Sequence, residues 1–180
     1  MTYPFRSIPP KRTCTKHYSL YNRYKPFLAE DFNHKCGYTD CSDFWFGGQC
    51  NFQIDHFKPK VKYPHLISEY GNLVYCCSYV NRAKLDDDSP NYLDPCEVDY
   101  NLHFERDERG FIVGKTPQGC YMVEHLQLNL FRYAICWNLD RLSEGIRKLK
   151  EVVRTSEEKS LLLDLYKEYY KYEDYLRDNL

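Results

Sequence analysis

The chain has 180 residues, 28% of them charged, and a formal net charge of −1. That length supports one domain with a real core, or a core with a helical appendage. Near-neutral charge excludes a uniformly basic surface but leaves room for a local basic patch.

From the start, residues 1–17 carry Pro4, Pro9 and Pro10 among many charges and read as a basic extended arm. No apolar run follows those charges, so the start does not read as a signal peptide. Nine cysteines without a secretory signal suggest free thiols in a reducing, cytoplasmic setting. No stretch reaches the roughly 18 apolar residues of a membrane span. Pro26 suits a first helical turn, with Phe27, Leu28 and Phe32 on one face. Phe52 and Ile54 alternate with Asn51 and Gln53, predicting a strand that ends near His56. Pro59 and Pro64 make the next segment a loop.

"NLVYCC" then reads as a second strand, and a short helix is expected from about Ser78 toward Leu85. The run Asp86-Asp87-Asp88-Ser89-Pro90 stops it. Residues 91–120 read as irregular, with turns at Asp94-Pro95, Arg109-Gly110 and Pro117-Gln118-Gly119, and a small strand at Phe111–Val113. After Asn129, an expected N-cap, Phe131, Ile135, Leu139, Leu142, Ile146, Leu149 and Val153 recur at helical spacing. Thr155 and Glu158 form a capping-box pattern that starts a second helix. Leu162, Leu165, Tyr169, Tyr172 and Leu176 continue the stripe, so the two helices are expected to pack as an antiparallel hairpin.

The chemistry concentrates in the strand, loop, strand, helix segment. Hydrolysing a phosphodiester requires a base for water and a cation for the charge that develops at phosphorus. His56 is the candidate base, because imidazole titrates near neutrality. Asp55 and Asn81 offer the oxygen ligands that Mg²⁺ prefers. Arg82, Lys84 and Lys58 are candidates for phosphate contact. Asn72, whose amide both donates and accepts, can pin the loop that carries His56. Neighbours in a regular strand face opposite sides, so Asp55 and His56 share a site only if the strand loses regularity there. Read singly, the same residues are bland: a surface Asp-His pair, a turn Asn, a helix-cap Asn and a solvated lysine face at Lys58, Lys60 and Lys62. His65, His103 and His125 show no partner pattern.

At these residues the sequence resembles the HNH endonuclease family. "IDHFKPK" is similar to its first segment, "GNLVYCC" to its middle one and "VNRAK" to its last. "SYVNRAKLDDDSP", "YLDP" and "HLQLNLFRYAICWNLDRL" further resemble the HNH subunits of Septu-type antiphage systems and retron effectors. The resemblance implies an α+β chain, a ββα-metal finger with flanking helices and a C-terminal helical hairpin. Its implied divisions are an arm at 1–17, a nuclease core at 18–120 and the hairpin at 121–180. It implies His56 as general base, Asp55 and Asn81 as metal ligands and Asn72 as the structural Asn of the catalytic set. A divalent cation such as Mg²⁺, a nucleic-acid substrate (DNA or RNA), a 5′-phosphate product and an ATPase partner subunit also follow. Many relatives carry two CxxC knuckles around zinc. The corresponding positions here are Cys36, Thr39, Cys77 and Val80, and neither Thr39 nor Val80 replaces a thiolate. Cys36, Cys41 and Cys77 are the zinc candidates, with Cys76 and Cys50 as further ones, and a knuckle held by packing is expected. The rival reading is a nucleic-acid-binding or assembly subunit whose finger has lost activity.

Overall fold

The computed structural model describes residues 2–178. Met1, Asn179 and Leu180, which the expected arm and hairpin include, lie outside the described residues. The chain is α+β, with helices α1 (Lys25–Asp31), α2 (Ser78–Lys84), α3 (Pro117–His125), α4 (Phe131–Val152) and α5 (Ser156–Asp178). Its strands are β1 (Tyr3–Pro4), β2 (Gln53–His56), β3 (Leu73–Cys76), β4 (Phe104–Arg106) and β5 (Ile112–Gly114). They form two separate antiparallel sheets, β1-β4-β5 and β2-β3.

The β2-β3 pair is the frame of the molecule. Its register sets Asp55 opposite Val74 and His56 opposite Leu73. The alternation read from the sequence holds: Phe52 is buried, Ile54 half-buried, and Asn51 and Gln53 exposed. All four residues of β3 are buried, because α1 covers this strand on the side away from solvent. Pro26 stands in the first turn of α1, and Leu28, Ala29 and Phe32 enter the core. The helix α2 follows β3 directly and packs back on β2, with Val80 and Lys84 buried.

The N-terminal segment is an integral part of the fold. Tyr3 and Pro4 pair with Arg106 and Glu105 of β4. Phe5 is fully buried against the rings of Tyr100 and Phe104, at 5.6 and 5.4 Å between centroids. Arg6 is buried and donates to the Gly37 carbonyl at 2.6 Å. Arg12 grips Asp94 with two hydrogen bonds of 3.0 and 3.1 Å and donates through Nε to the Leu73 carbonyl. A bidentate guanidinium-carboxylate fork is the strong form of such a contact. Two of the arm's cations thus hold the arm to the core and are spent there.

The stretch read as irregular at 91–120 contains β4, which the sequence reading passed over, and the start of α3. Pro117-Gln118-Gly119 is the first turn of that helix, with Thr116 accepting from the Gly119 amide at 3.1 Å. A Cβ at Gly119 would collide with the His103 carbonyl, so glycine lets the helix sit against the sheet. At the C-terminal end the capping box is formed in both directions. Thr155 N–H donates to Glu158 Oε2 at 2.9 Å, and Glu158 N–H donates to Thr155 Oγ1 at 3.1 Å. The N-cap of α4 is Leu130, one residue beyond Asn129. Leu139, Leu142 and Ile146 are buried, while Leu162, Leu165, Tyr169, Tyr172 and Leu176 of α5 are half-buried. No helix among the described residues is long and apolar enough to cross a membrane.

Candidate active site

A cleft of about 770 Å³ opens along β2 and the start of its following loop, walled on the far side by α2. Asp55, His56, Asn81 and Arg82 all line it. His56 is the last residue of β2, still paired with Leu73, and both it and Asp55 line the cleft.

His56 is held by its backbone and its ring. Lys84 Nζ donates to the His56 carbonyl at 2.9 Å, and the Phe57 amide donates to the Asn72 carbonyl at 2.9 Å. His56 Nε2 lies 2.9 Å from the Ile67 carbonyl. A carbonyl only accepts, so Nε2 carries the proton and Nδ1 keeps its lone pair. Tyr21 meets the imidazole edge-on, with centroids 4.8 Å apart. Burial pushes the His56 pKa below 6.5, against the Ile67 hydrogen bond and the Asp55 charge, which raise it; Lys60 and Lys84 lower it further. The ring is therefore neutral at pH 7, the form a general base requires.

The loop that supplies Ile67 is tied by Asn72. Its Oδ1 accepts from the Lys58 amide at 2.8 Å, and its Nδ2 donates to the carbonyls of Lys58 and Leu66 at 3.0 and 3.3 Å. Asn72 is buried and is not among the cleft-lining residues. It is a positioning residue: it closes the 58–72 loop, and the loop orients His56.

Two of the expected phosphate contacts are corrected by the geometry. Lys84 is buried, with Nζ 3.2 Å from Asp55 Oδ1 and bonded to the His56 carbonyl. Its ammonium braces β2 and does not face the cleft mouth, because the short α2 brings position 84 over the strand. The Lys58 ammonium rests over the rings of Phe57 and Tyr63, at 5.7 and 5.9 Å, and does not line the cleft. Lys60 and Lys25 line it instead, beside Arg82. Sequence reading missed Tyr21, Lys25 and Gln53 and left Lys60 between a solvated face and a phosphate contact. They reach the cleft by tertiary packing, and no local spacing marks them.

Asp55 accepts from the Tyr38 hydroxyl at 2.6 Å and from Lys84. Asn81 donates through Nδ2 to Gln53 Oε1 at 2.6 Å, which points its other amide atom, Oδ1, to act as acceptor. A carboxylate offers about four lone-pair sites, so Asp55 retains acceptor capacity beyond these two bonds. One carboxylate on β2 and one amide oxygen on α2, both lining the cleft, suit a hard divalent cation that keeps most of its waters.

On the other side of β3, the degenerate knuckle is packed by hydrogen bonds. Burial raises the Cys36 thiol, but hydrogen bonds from the Cys77 thiol, the Thr39 hydroxyl and the amides of Cys77 and Tyr38 outweigh it and pull it below its ordinary value. Cys41 is turned toward the carbonyls of Thr39 and Tyr133, at 3.7 and 3.6 Å, and burial pushes its pKa up to about 12. Val80 closes the knuckle as a fully buried side chain. The sulfurs of Cys41 and Cys77 thus have protein partners: the carbonyls of Thr39 and Tyr133 for Cys41 and the Tyr133 hydroxyl for Cys77. Among the described residues no three His, Cys, Asp or Glu side chains converge as a metal-binding group.

Comparison of the chain with protein-family models, with curated proteins and with solved structures gives no match in any of the three.

Proposed function

We propose that the protein is a metal-dependent nuclease of the HNH kind, hydrolysing phosphodiester bonds from the cleft between β2 and α2. One observation carries the reading. His56 presents Nδ1 as a neutral base, its other nitrogen fixed on the Ile67 carbonyl, in a cleft that also holds Asp55, Asn81 and three cations. Lys25, Lys60 and Arg82 favour the entry of a polyanion through electrostatic attraction, and the phosphate contacts themselves carry no sequence information. His56 takes a proton from the attacking water at Nδ1, and the Nε2 hydrogen bond stabilises the imidazolium that forms. Asp55 and Asn81 would hold the divalent cation, which supplies charge neutralisation at phosphorus. Lys84 and Tyr38 fix the Asp55 carboxylate, and Asn72 fixes the loop behind His56.

The inactive-subunit reading draws on a different observation, the neutralisation of Asp55 by a buried ammonium. Incubation of the purified chain with DNA and with RNA, in Mg²⁺ and in EDTA, separates the two. Cleavage that requires the metal supports the nuclease. Binding without cleavage of either polymer supports the inactive subunit. An antiphage setting and an ATPase partner rest on the sequence resemblance alone, and co-purification with a co-expressed ATPase tests that association.

A further inference from the structure

A second recess lies across α2 from the cleft. It measures about 250 Å³, and Tyr79, Arg82, Leu126, Gln127, Leu130 and Tyr133 line it. The helix makes the two sites neighbours. Asn81, Arg82 and Leu85 face the cleft, whereas Tyr79, Arg82 and Ala83, spaced by three and four, face the recess. Arg82 lines both.

The recess has the chemistry of a base-binding site. Leu126, Leu130 and Tyr133 give it apolar side chains. Its rim pairs Tyr79 with the Arg82 guanidinium, 5.1 Å from the ring. Arg132, outside the lining, also lies 5.1 Å from the Tyr79 ring and 5.5 Å from the Phe46 ring. The pair is open to solvent: Tyr79 is 38% exposed. Gln127, held at a positive φ of 52°, places an exposed amide at the edge, where it can both donate and accept. Among the described residues no Asp or Glu lines the recess. Bases stack on aromatic rings and on guanidinium planes, and apolar pockets with a few polar groups hold them by their faces and edges.

We propose that this recess holds the unpaired base of a nucleotide next to the scissile phosphate, with Arg82 spanning the phosphate between recess and cleft. The proposal rests on the nuclease reading of the cleft and deepens it. It makes single-stranded nucleic acid, or a single-stranded loop, the preferred ligand class, because a base paired in a duplex cannot enter the recess.

The test uses the full chain carrying His56→Ala, so that binding is measured without cleavage. Fluorescence anisotropy compares a short labelled single strand with the matched duplex. The single strand binds more tightly. Adding Tyr79→Ala weakens single-strand binding about tenfold and duplex binding much less, in line with the usual worth of a base stack. Tyr79→Trp retains the single-strand affinity, which excludes a general loss of folding as the cause. Equal losses on both ligands, no loss at a folded Tyr79→Ala protein, or tighter binding of the duplex would each overturn the recess. Cleavage by the unmodified chain is read in parallel. Metal-dependent cleavage with a silent Tyr79→Ala variant sinks the recess alone, whereas no cleavage of either polymer sinks the nuclease reading and the recess with it.

Discussion

The cleft and the knuckle lie on the same small sheet, and both are rich in polar side chains. They differ in what those side chains have left to offer. In the knuckle, Cys36 receives from Cys77, Thr39 and two amides, Cys41 turns to two carbonyls, and Val80 closes the top. In the cleft, the ring of His56 is held at one nitrogen and the other is the unprotonated one. Polar groups that satisfy one another make structure, since a buried donor or acceptor left unpaired costs free energy. Polar groups fixed on one side and open on the other make sites. The two regions are also joined. Tyr38, which lies between Cys36 and Cys41 in the chain, gives its hydroxyl to Asp55, so the sealed cluster positions one wall of the open one.

The comparison breaks most sharply at Lys84. Lys84→Ala leaves Asp55 buried without its cation, which should cost about 3–5 kcal/mol in stability by urea denaturation. A loss under about 1 kcal/mol would mean that the ammonium is a free phosphate contact after all. Next comes Asn72→Ala, which takes the side-chain partner from the Lys58 amide and carbonyl and leaves the Leu66 carbonyl with only the Glu69 amide. It should cost about 1–3 kcal/mol, and cleavage should fall because His56 loses its orientation. A stable Asn72→Ala protein with full activity would remove Asn72 from the positioning role.

For the knuckle, metal analysis of protein purified without chelator should give less than one zinc per chain. One tightly held zinc, lost on Cys36→Ser, would show that the sulfurs open to a metal. The smallest effect is the pH dependence. The folded pKa of His56 lies below 6.5, so the base stays neutral as pH falls toward that value. The cleavage rate should fall on the acid side with a midpoint below 6.5, and the part of stability linked to His56 is present above 6.5 and lost as pH falls through the folded value. A midpoint above 6.5 would mean that the ring is favoured in its charged form.

Local pattern made several of these elements readable before the fold was known. Phe52 and Ile54 against Asn51 and Gln53 marked β2, and Thr155 with Glu158 marked the start of α5, because strand alternation and a capping box are set within a few residues. Asp55, His56 and Asn81 of the ordered set line one cleft, and Asn72 ties the loop behind it. What the sequence hid was tertiary. Arg6 and Arg12 looked like free cations and are bound to Gly37 and Asp94, far along the chain. Lys84 looked like a phosphate contact, yet the last turn of a short helix folds it over β2. Tyr21 and Lys25 reach the cleft through packing of α1 and the turn before it, which no spacing near His56 reveals. At α3, Thr116 and Pro117 were a helix start that the glycine two residues on made look like a turn.

The central claim is that the open nitrogen of His56 performs the chemistry. The most direct measurement is cleavage by His56→Ala beside the unmodified chain, at equal folded concentration and at low and high Mg²⁺, with Asn81→Ala as the companion. The account predicts that His56→Ala still folds, at a cost of about 1–3 kcal/mol for the unpaired Ile67 carbonyl, and loses about 10²–10⁴ in rate at every Mg²⁺ concentration, as loss of a general base requires. Asn81→Ala should recover part of its activity as Mg²⁺ rises. Cleavage by a folded His56→Ala protein at the rate of the unmodified chain would contradict the account.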